Sequence, residues 1–197
     1  MLSNGTEKLD PRVRRTRQGI EQAFVDLVNE NGFQSISVQD IAARAGINRA
    51  TFYAHFPDKF ALLQHSIEQG FQQEVEKHVL NACQFSNENL RELIIAVCDF
   101  VGNTHALCPK TEQQFQSLVE AEVRTQIHGL LEHWLESIPT IANTPISRER
   151  AATAASWAIY GLATEWSRSK CLPPVEQYAD EVLPLVAANL GLTIELA

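Results

Sequence analysis

The apolar residues of this chain recur with the period of an α-helix almost from end to end. In residues 14–31 they fall at Ile20, Phe24, Leu27 and Val28, which places them on one helical face. No alternating run of useful length and no two-residue hairpin signal interrupts this pattern. The sequence therefore predicts an all-α fold of eight or nine helices.

Glycine, proline and capping residues divide the chain into helices. Gly32 and Gly46 are stop signals, Ser37 with Asp40 forms a capping-box pattern, and Pro57 suits the first position of a helix. The predicted helices are residues 14–31, 38–45, 49–54, 57–83, 87–101, 111–138 (one helix or two), 147–170 and 175–190.

Composition excludes several classes of protein. The 197 residues are 45% hydrophobic and 20% charged, which is typical of a globular chain rather than a disordered one. No stretch approaches the roughly 20 apolar residues of a membrane span, and residues 1–17 lack the apolar segment of a secretory signal. The four cysteines form no CxxC pair, which favours free thiols. We therefore expect a cytoplasmic protein without a membrane contact.

Charge is distributed unevenly along the chain. The net charge is −8, yet residues 1–60 carry a net +1 and residues 61–197 a net −9. Arg12, Arg14, Arg15 and Arg17 lie within six residues, at a helix start where the dipole disfavours cations. A phosphate backbone against that end would remove the penalty, whereas a solvated basic helix start is the plainer alternative. The asymmetry favours an anionic partner for the N-terminal segment.

Residues 37–56 have the spacing of a helix-turn-helix, because two short helices meet through Gly46 with almost no linker. Gly46 permits a positive φ in the turn, and Ala42 is small where the helices cross. Ile41, Ile47 and Phe52 are expected to point inward. The residues left outward on the second helix suit base edges and phosphates of a major groove: Asn48, Arg49, Ala50, Thr51, Tyr53 and His55.

Residues 14–63 resemble the TetR/AcrR family of bacterial transcriptional regulators. The resemblance rests on RQGI at 17–20, GF at 32–33, IAARAGI at 41–47 and TFYAHFPDK at 51–59. It implies a three-helix DNA-binding domain at residues 1–56, with a long connecting helix from residue 57. Residues 57–197 would then form a helical effector-binding and dimerisation domain.

The resemblance also implies DNA contacts residue by residue. Thr51, Tyr53 and His55 match positions that touch phosphates and neighbouring bases, and Lys59 matches a phosphate-anchoring lysine. Gln39 and Arg44 match positions that contact the DNA backbone. Asn48, Arg49 and Ala50 match positions that set the operator sequence, and Arg49 is the best candidate for guanine readout. The charge pattern adds Arg14 and Arg17 to this set.

The acidic remainder of the chain is assigned two tasks by the same resemblance. Small residues in 147–170 and apolar residues in 175–190 are suited to a homodimer that binds a palindromic duplex operator. Five aromatic residues could line a pocket for an apolar or aromatic small molecule, although core packing is the commoner role of each: Phe100, Phe115, Trp134, Trp157 and Tyr160.

No cofactor or metal motif is present. His105, Cys108, His128 and His133 have no compact ligand spacing, so we predict neither a metal nor a cofactor. The chain also lacks GxSxG, P-loop, Rossmann and HExxH signatures. The prediction is a ligand-responsive DNA-binding repressor that is not an enzyme. A helical enzyme, or an α-helical interaction module with a non-functional helix-turn-helix, remains open as an alternative.

Overall fold

The structure of the chain is a computed structural model that describes residues 10–79, 84–107, 113–136, 138, 146–169 and 173–191. Helices make up most of this part of the chain. Within these residues there are eight helices and no strand, which confirms the predicted all-α fold. The helices are α1 (Pro11–Asn31), α2 (Val38–Arg44), α3 (Arg49–His55), α4 (Lys59–His78), α5 (Asn87–Leu107), α6 (Gln113–Glu136), α7 (Arg148–Arg168) and α8 (Val175–Asn189).

The helices form two compact units. The first extends to Ser66 and contains α1, α2, α3 and the start of α4 around a core that includes Ile20, Phe24, Ile41 and Phe52. The predicted domain boundary at residues 56/57 stays a prediction. In this unit α2 packs against both α1 and α3, as the interdigitating apolar faces require.

The second unit begins at Ile67 and consists mainly of α5 to α8. Helix α7 is its centre, since it packs against α5, α6 and α8. Its small buried residues Ala152, Ala155 and Ala163 allow this close approach. Trp134 of α6 is fully buried in the same unit.

The local signals around the helix-turn-helix behave as the sequence predicts. The Ser37 side chain accepts from the backbone N–H of Asp40 while Asp40 accepts from that of Ser37, which is a complete capping box. Gly46 has a φ of 67°, so the tight turn uses the left-handed region that glycine adopts without strain. These two devices fix where α2 begins and how the chain leaves it.

Several predicted helix boundaries differ from the observed ones. Helix α4 begins at Lys59 rather than Pro57, because the Asp58 side chain accepts from the backbone N–H groups of Phe60 and Ala61, both at 2.8 Å, as an N-cap does. The predicted end of α4 at Cys83 lies outside the described residues. Helix α1 also differs from the prediction. It begins at Pro11, three residues before the predicted start, because the Asp10 side chain caps it.

In the second unit, helix α5 is longer than predicted, and α6 is a single helix where the sequence allowed one or two. Helix α5 continues past Val101 to Leu107. Within this extension the Trp166 ring packs close to Gly102 and would lie 3.2 Å from an added Cβ. Residues 113–136 form the single helix α6, which is one of the two arrangements that the sequence left open. Among the described residues, no helix combines the length and apolar character needed to cross a membrane.

Candidate nucleic-acid interface

Helix α3 presents a polar face that one buried ring holds in place. Phe52 is 0% exposed and anchors the helix in the core of the first unit. Tyr53, about 100° further round the helix, is 48% exposed, and its ring is edge-on to that of Phe52 at a centroid distance of 5.6 Å. The packing therefore fixes the direction in which Tyr53 projects while its hydroxyl stays accessible.

The start of α3 is ordered by Asn48. Its Oδ1 accepts from the backbone N–H of Thr51 at 2.7 Å and from the Thr51 hydroxyl at 3.0 Å, as the N-cap of the helix. Asn48, Arg49 and Ala50 are exposed, whereas Thr51 and His55 are half-buried. Within the described residues, the Arg49 guanidinium forms no ion pair. It is thus a free, exposed fork of hydrogen-bond donors beside Tyr53.

Helix α2 contributes one free polar residue and one paired arginine. Gln39 is exposed. Arg44 instead donates two hydrogen bonds to the Glu30 carboxylate, at 2.9 and 2.6 Å. The hydrogen bond from Arg44 holds the pKa of Glu30 below its ordinary value. Arg44 therefore has to exchange this partner before it can contact a phosphate.

The Lys59 ammonium is directed into the first unit rather than away from it. Nζ donates to three backbone carbonyl oxygens of the α1–α2 connection, those of Phe33 (3.1 Å), Gln34 (3.4 Å) and Ile36 (2.9 Å). It also lies 4.6 Å from the centroid of the Phe33 ring. An ammonium has three N–H donors, so this arrangement uses all of them.

The arginines of α1 differ from one another. Arg14 is exposed, as are Arg12 and Arg15. Arg17 is partly buried: its Nε lies 3.3 Å from Glu21 Oε1, and its guanidinium lies 5.0 Å from the centroid of the Phe56 ring. Arg14 thus has a solvated charge, whereas Arg17 also stabilises the packing of α1.

Together these positions make one short helix whose exposed side is rich in hydrogen-bond donors. Arg49 offers a guanidinium, Tyr53 a phenol and Asn48 an amide NH₂ whose oxygen already serves the cap. Donors of this kind recognise guanine edges and phosphate oxygens in duplex DNA. The neighbouring surface of α2 adds the amide of Gln39. Helix α3 itself contains no carboxylate, whereas the exposed Asp40 of the capping box lies next to Gln39 on α2.

The five aromatic residues predicted to line an effector pocket lie in different environments. Trp134 is fully buried and packs edge-on to Phe85, and Phe115 is also buried. Phe100 is half-buried against Phe71. Trp157 is 51% exposed on α7, and the Arg124 guanidinium lies 3.4 Å from the centroid of its ring.

Tyr160 of α7 is half-buried, and burial raises the pKa of its phenol. Of the five aromatics, Trp134 and Phe115 therefore fill the core, and Phe100 and Tyr160 are the half-buried pair. The effector pocket stays a prediction.

Sequence reasoning missed two features of the described chain. One is the inward direction of Lys59, which depends on carbonyl groups 23 to 26 residues earlier in the chain and leaves no local signal. The other is a group of acidic residues around His78. Only the i,i+4 spacing of Glu74 and His78 on one helix could have indicated it.

The geometry defines a class: a helix-turn-helix protein whose second helix presents a donor-rich face, followed by a separate helical unit. Residues 22–65 match the family described as bacterial regulatory proteins, tetR family. The helix-turn-helix segment of the chain is therefore that of the TetR/AcrR family of bacterial transcriptional regulators. Members of this family are generally not enzymes.

Individual relatives support this assignment over different lengths. The HTH-type transcriptional regulator AcrR of Shigella flexneri is 27% identical over 182 residues, which cover 81% of each chain. The uncharacterised HTH-type transcriptional regulator YxbF of Bacillus subtilis is 34% identical over 87 residues, 44% of this chain and only 23% of that relative.

The fold is shared with a solved structure, the TetR-family transcriptional repressor FadR of Thermus thermophilus in complex with lauroyl-CoA. It superimposes with a TM-score of 0.57 at 20% identity, over 92% of this chain and 97% of that one.

Proposed function

We propose that this chain is a homodimeric repressor that binds a palindromic duplex operator through α3 and releases it when a small apolar molecule binds the second unit. The observation that carries the proposal is the free, exposed Arg49 beside the exposed Tyr53 on a helix anchored by Phe52. A guanidinium fork at that position matches the O6 and N7 acceptors of guanine.

The predicted DNA-contact residues differ in exposure and in whether an intrachain group already pairs with them. The available contacts are Arg14, Gln39, Asn48, Arg49, Ala50 and Tyr53, all of them exposed, with the half-buried Thr51 and His55 beside them. Arg17 and Arg44 each have an intrachain carboxylate partner, so their contacts depend on an exchange of partners. Lys59 acts chiefly by holding the α1–α2 connection in place.

A homodimer is supported by exposed apolar residues on two helices that pack side by side. Trp157 of α7 is 51% exposed and Leu185 of α8 is 60% exposed. Gly161 of α7 is also exposed, with open space around its Cα, so a second helix can approach closely there. A two-fold dimer would present two α3 helices to successive major grooves about one DNA turn apart.

An apolar effector is supported by the aromatic content of the second unit. Phe100 and Tyr160 are half-buried rather than packed out of reach of a ligand. The related FadR structure contains lauroyl-CoA, which makes a fatty acyl thioester the first ligand to test. Helix α4 is continuous from Lys59 to His78. A ligand-induced shift of its second half would therefore move Lys59, whose ammonium donates to the α1–α2 connection.

DNA binding is tested by fluorescence anisotropy on the duplex that this protein enriches from a random library. We expect the logarithm of the binding constant to fall linearly with the logarithm of salt concentration, because phosphate contacts release counterions. Arg49→Ala should lower affinity about 5- to 150-fold per half-site. The matched change Arg148→Ala, at an exposed arginine on the face of α7 away from Trp157, should leave it unchanged. Equal loss in both variants, or no enriched duplex, would contradict the proposal.

Release is tested by adding lauroyl-CoA to the protein–operator complex, with coenzyme A alone as the control for the polar part of the ligand. We expect at least about tenfold weaker operator binding with the acyl thioester only, which corresponds to a coupling of about 1.4 kcal/mol. Operator affinity that stays the same with both compounds would contradict an acyl thioester effector. It would not contradict DNA recognition, which the preceding experiment tests.

A further inference from the structure

A group of four side chains in the second unit has the geometry of a metal site. We define the His78 cluster as Glu74 and His78 of α4 together with Glu92 and Asp99 of α5. One ligand atom from each of Glu74, His78 and Asp99 lies within 4.8 Å of the other two. All four side chains are partly buried, so the cluster is sheltered without being closed to solvent.

The distances around the imidazole are those of metal ligands. His78 Nε2 lies 3.5 Å from Glu74 Oε1 and 3.4 Å from Asp99 Oδ2. Well-formed hydrogen bonds of this type are about 2.7–3.2 Å long, so the two carboxylates share Nε2 only in a long three-centre arrangement. Two ligands of a tetrahedral Zn²⁺ ion, each about 2.1 Å from the metal, are about 3.4 Å apart. The spacing thus fits an ion shared by the three atoms.

The residues around these three atoms hold them in the required orientation. His78 Nδ1 lies 3.4 Å from Glu92 Oε2, so a small shift would let the Nδ1–H donate to this carboxylate, which leaves the Nε2 lone pair for the ion. The second oxygen of Glu92 is held by Arg91 at 2.8 Å, and the second oxygen of Glu74 by Lys77 at 2.8 Å.

Electrostatics favours an added cation in the cluster. Three carboxylates surround one imidazole. Of the neighbouring cations, Lys77 pairs with Glu74, and Arg91 pairs with Glu92 but also with Asp180 outside the cluster. A divalent cation between Nε2 and the two carboxylate oxygens would relieve the repulsion among these carboxylates.

We infer that Glu74, His78 and Asp99 bind a divalent transition-metal ion, with Zn²⁺ as the best fit to one imidazole and two carboxylates. Glu92 orients the imidazole from outside the ligand set. Mg²⁺ is disfavoured because it demands six oxygen ligands in octahedral geometry. Three protein ligands leave one tetrahedral position for water or for a donor atom of a bound molecule.

The test is a Zn²⁺ titration of the chelator-treated full-length protein by calorimetry. We expect one ion per chain, a loss of affinity of at least about 100-fold in His78→Gln, and a loss of about 10- to 100-fold in the outer variant Glu92→Gln. The matched control is His128→Gln, because His128 of α6 faces a single carboxylate, Glu132, at 3.9 Å. It should bind Zn²⁺ as the parent does.

Cobalt substitution identifies the ligands. The parent should show the visible absorption of tetrahedral Co²⁺ without a thiolate-to-cobalt band, and Asp99→Asn should lose that absorption while circular dichroism confirms that it is folded. A parent without stoichiometric binding would overturn the inference. So would a thiolate band, or equal affinity in the parent and in both His78→Gln and Asp99→Asn. DNA binding does not enter these measurements, so their failure leaves the proposed function untouched.

Discussion

At the scale of single residues, the structure separates cations that are free to meet DNA from cations that hold the first unit together. Arg49 and Arg14 are exposed, whereas Arg44 pairs with Glu30 and Lys59 donates to backbone carbonyls. Charge alone treats all four alike. Their geometry predicts different phenotypes, because removing a free cation affects binding and removing an engaged one affects stability first.

Lys59 provides the clearest case. Lys59→Met keeps the apolar stem against Phe33 but removes three hydrogen bonds of a charged donor, so we expect the free energy of unfolding to fall by about 1–3 kcal/mol. The control Lys77→Met removes a largely exposed ammonium and should change it by less than about 0.5 kcal/mol. Urea unfolding in the absence of metal measures both.

The salt dependence of operator binding distinguishes the two roles of Lys59. If Lys59 is a positioning residue, the slope of the double-logarithmic plot stays as in the parent. A slope smaller by roughly two per dimer, with unchanged stability, would instead assign Lys59 to a direct phosphate contact in each subunit.

At the scale of elements, the α2–α3 turn depends on the conformation of Gly46. Its φ of 67° is unfavourable for any residue with a Cβ, although the space around it is open. Gly46→Ala should therefore destabilise the protein by about 1–2 kcal/mol through backbone strain alone. Gly19→Ala is the matched control, because Gly19 also has open space but lies inside α1.

The control change should have the opposite sign. Alanine favours a helix interior over glycine, so we expect Gly19→Ala to stabilise the protein by about 0.4–1 kcal/mol. Thermal unfolding of the two variants is the measurement. Two shifts of the same sign would show that the turn does not use the left-handed conformation.

How far the elements could be predicted depended on how local their determinants are. The capping box at Ser37 and the turn at Gly46 act within four residues, and the sequence predicts them correctly. The start of α4 was placed two residues early, because an aspartate N-cap and a proline at the first position compete for adjacent sites.

The candidate site shows the same limit. The exposed face of α3 follows from helical periodicity once Phe52 is taken as buried. The hydrogen bonds of Lys59, the Glu30–Arg44 pair and the His78 cluster all join residues that are distant in the chain, apart from Glu74 with His78. Only the tertiary fold brings those groups together, so single-sequence patterns carry no signal for them.

At the scale of the whole molecule, binding to a palindromic operator requires two copies of the chain. Leu185→Glu places a charge on the exposed apolar surface of α8, so we expect the dimer to weaken and operator affinity to fall with it, because two linked half-sites bind more tightly than one. The control Val25→Glu changes an exposed valine of α1 and should leave the dimer intact.

Sedimentation at micromolar concentration checks this prediction. The parent and Val25→Glu should sediment at twice the chain mass of 22.0 kDa, and Leu185→Glu closer to a single chain. A parent that sediments as a single chain while it retains full operator affinity would rule out the dimer.

We propose that the exposed face of α3 recognises the DNA sequence. The test is a selection from a random duplex library, carried out with the parent and with Arg49→Ala. We expect the parent to enrich a palindrome that requires guanine at one symmetric position of each half-site, and the variant to show relaxed preference at that position. Identical enriched sequences for the two proteins would contradict it.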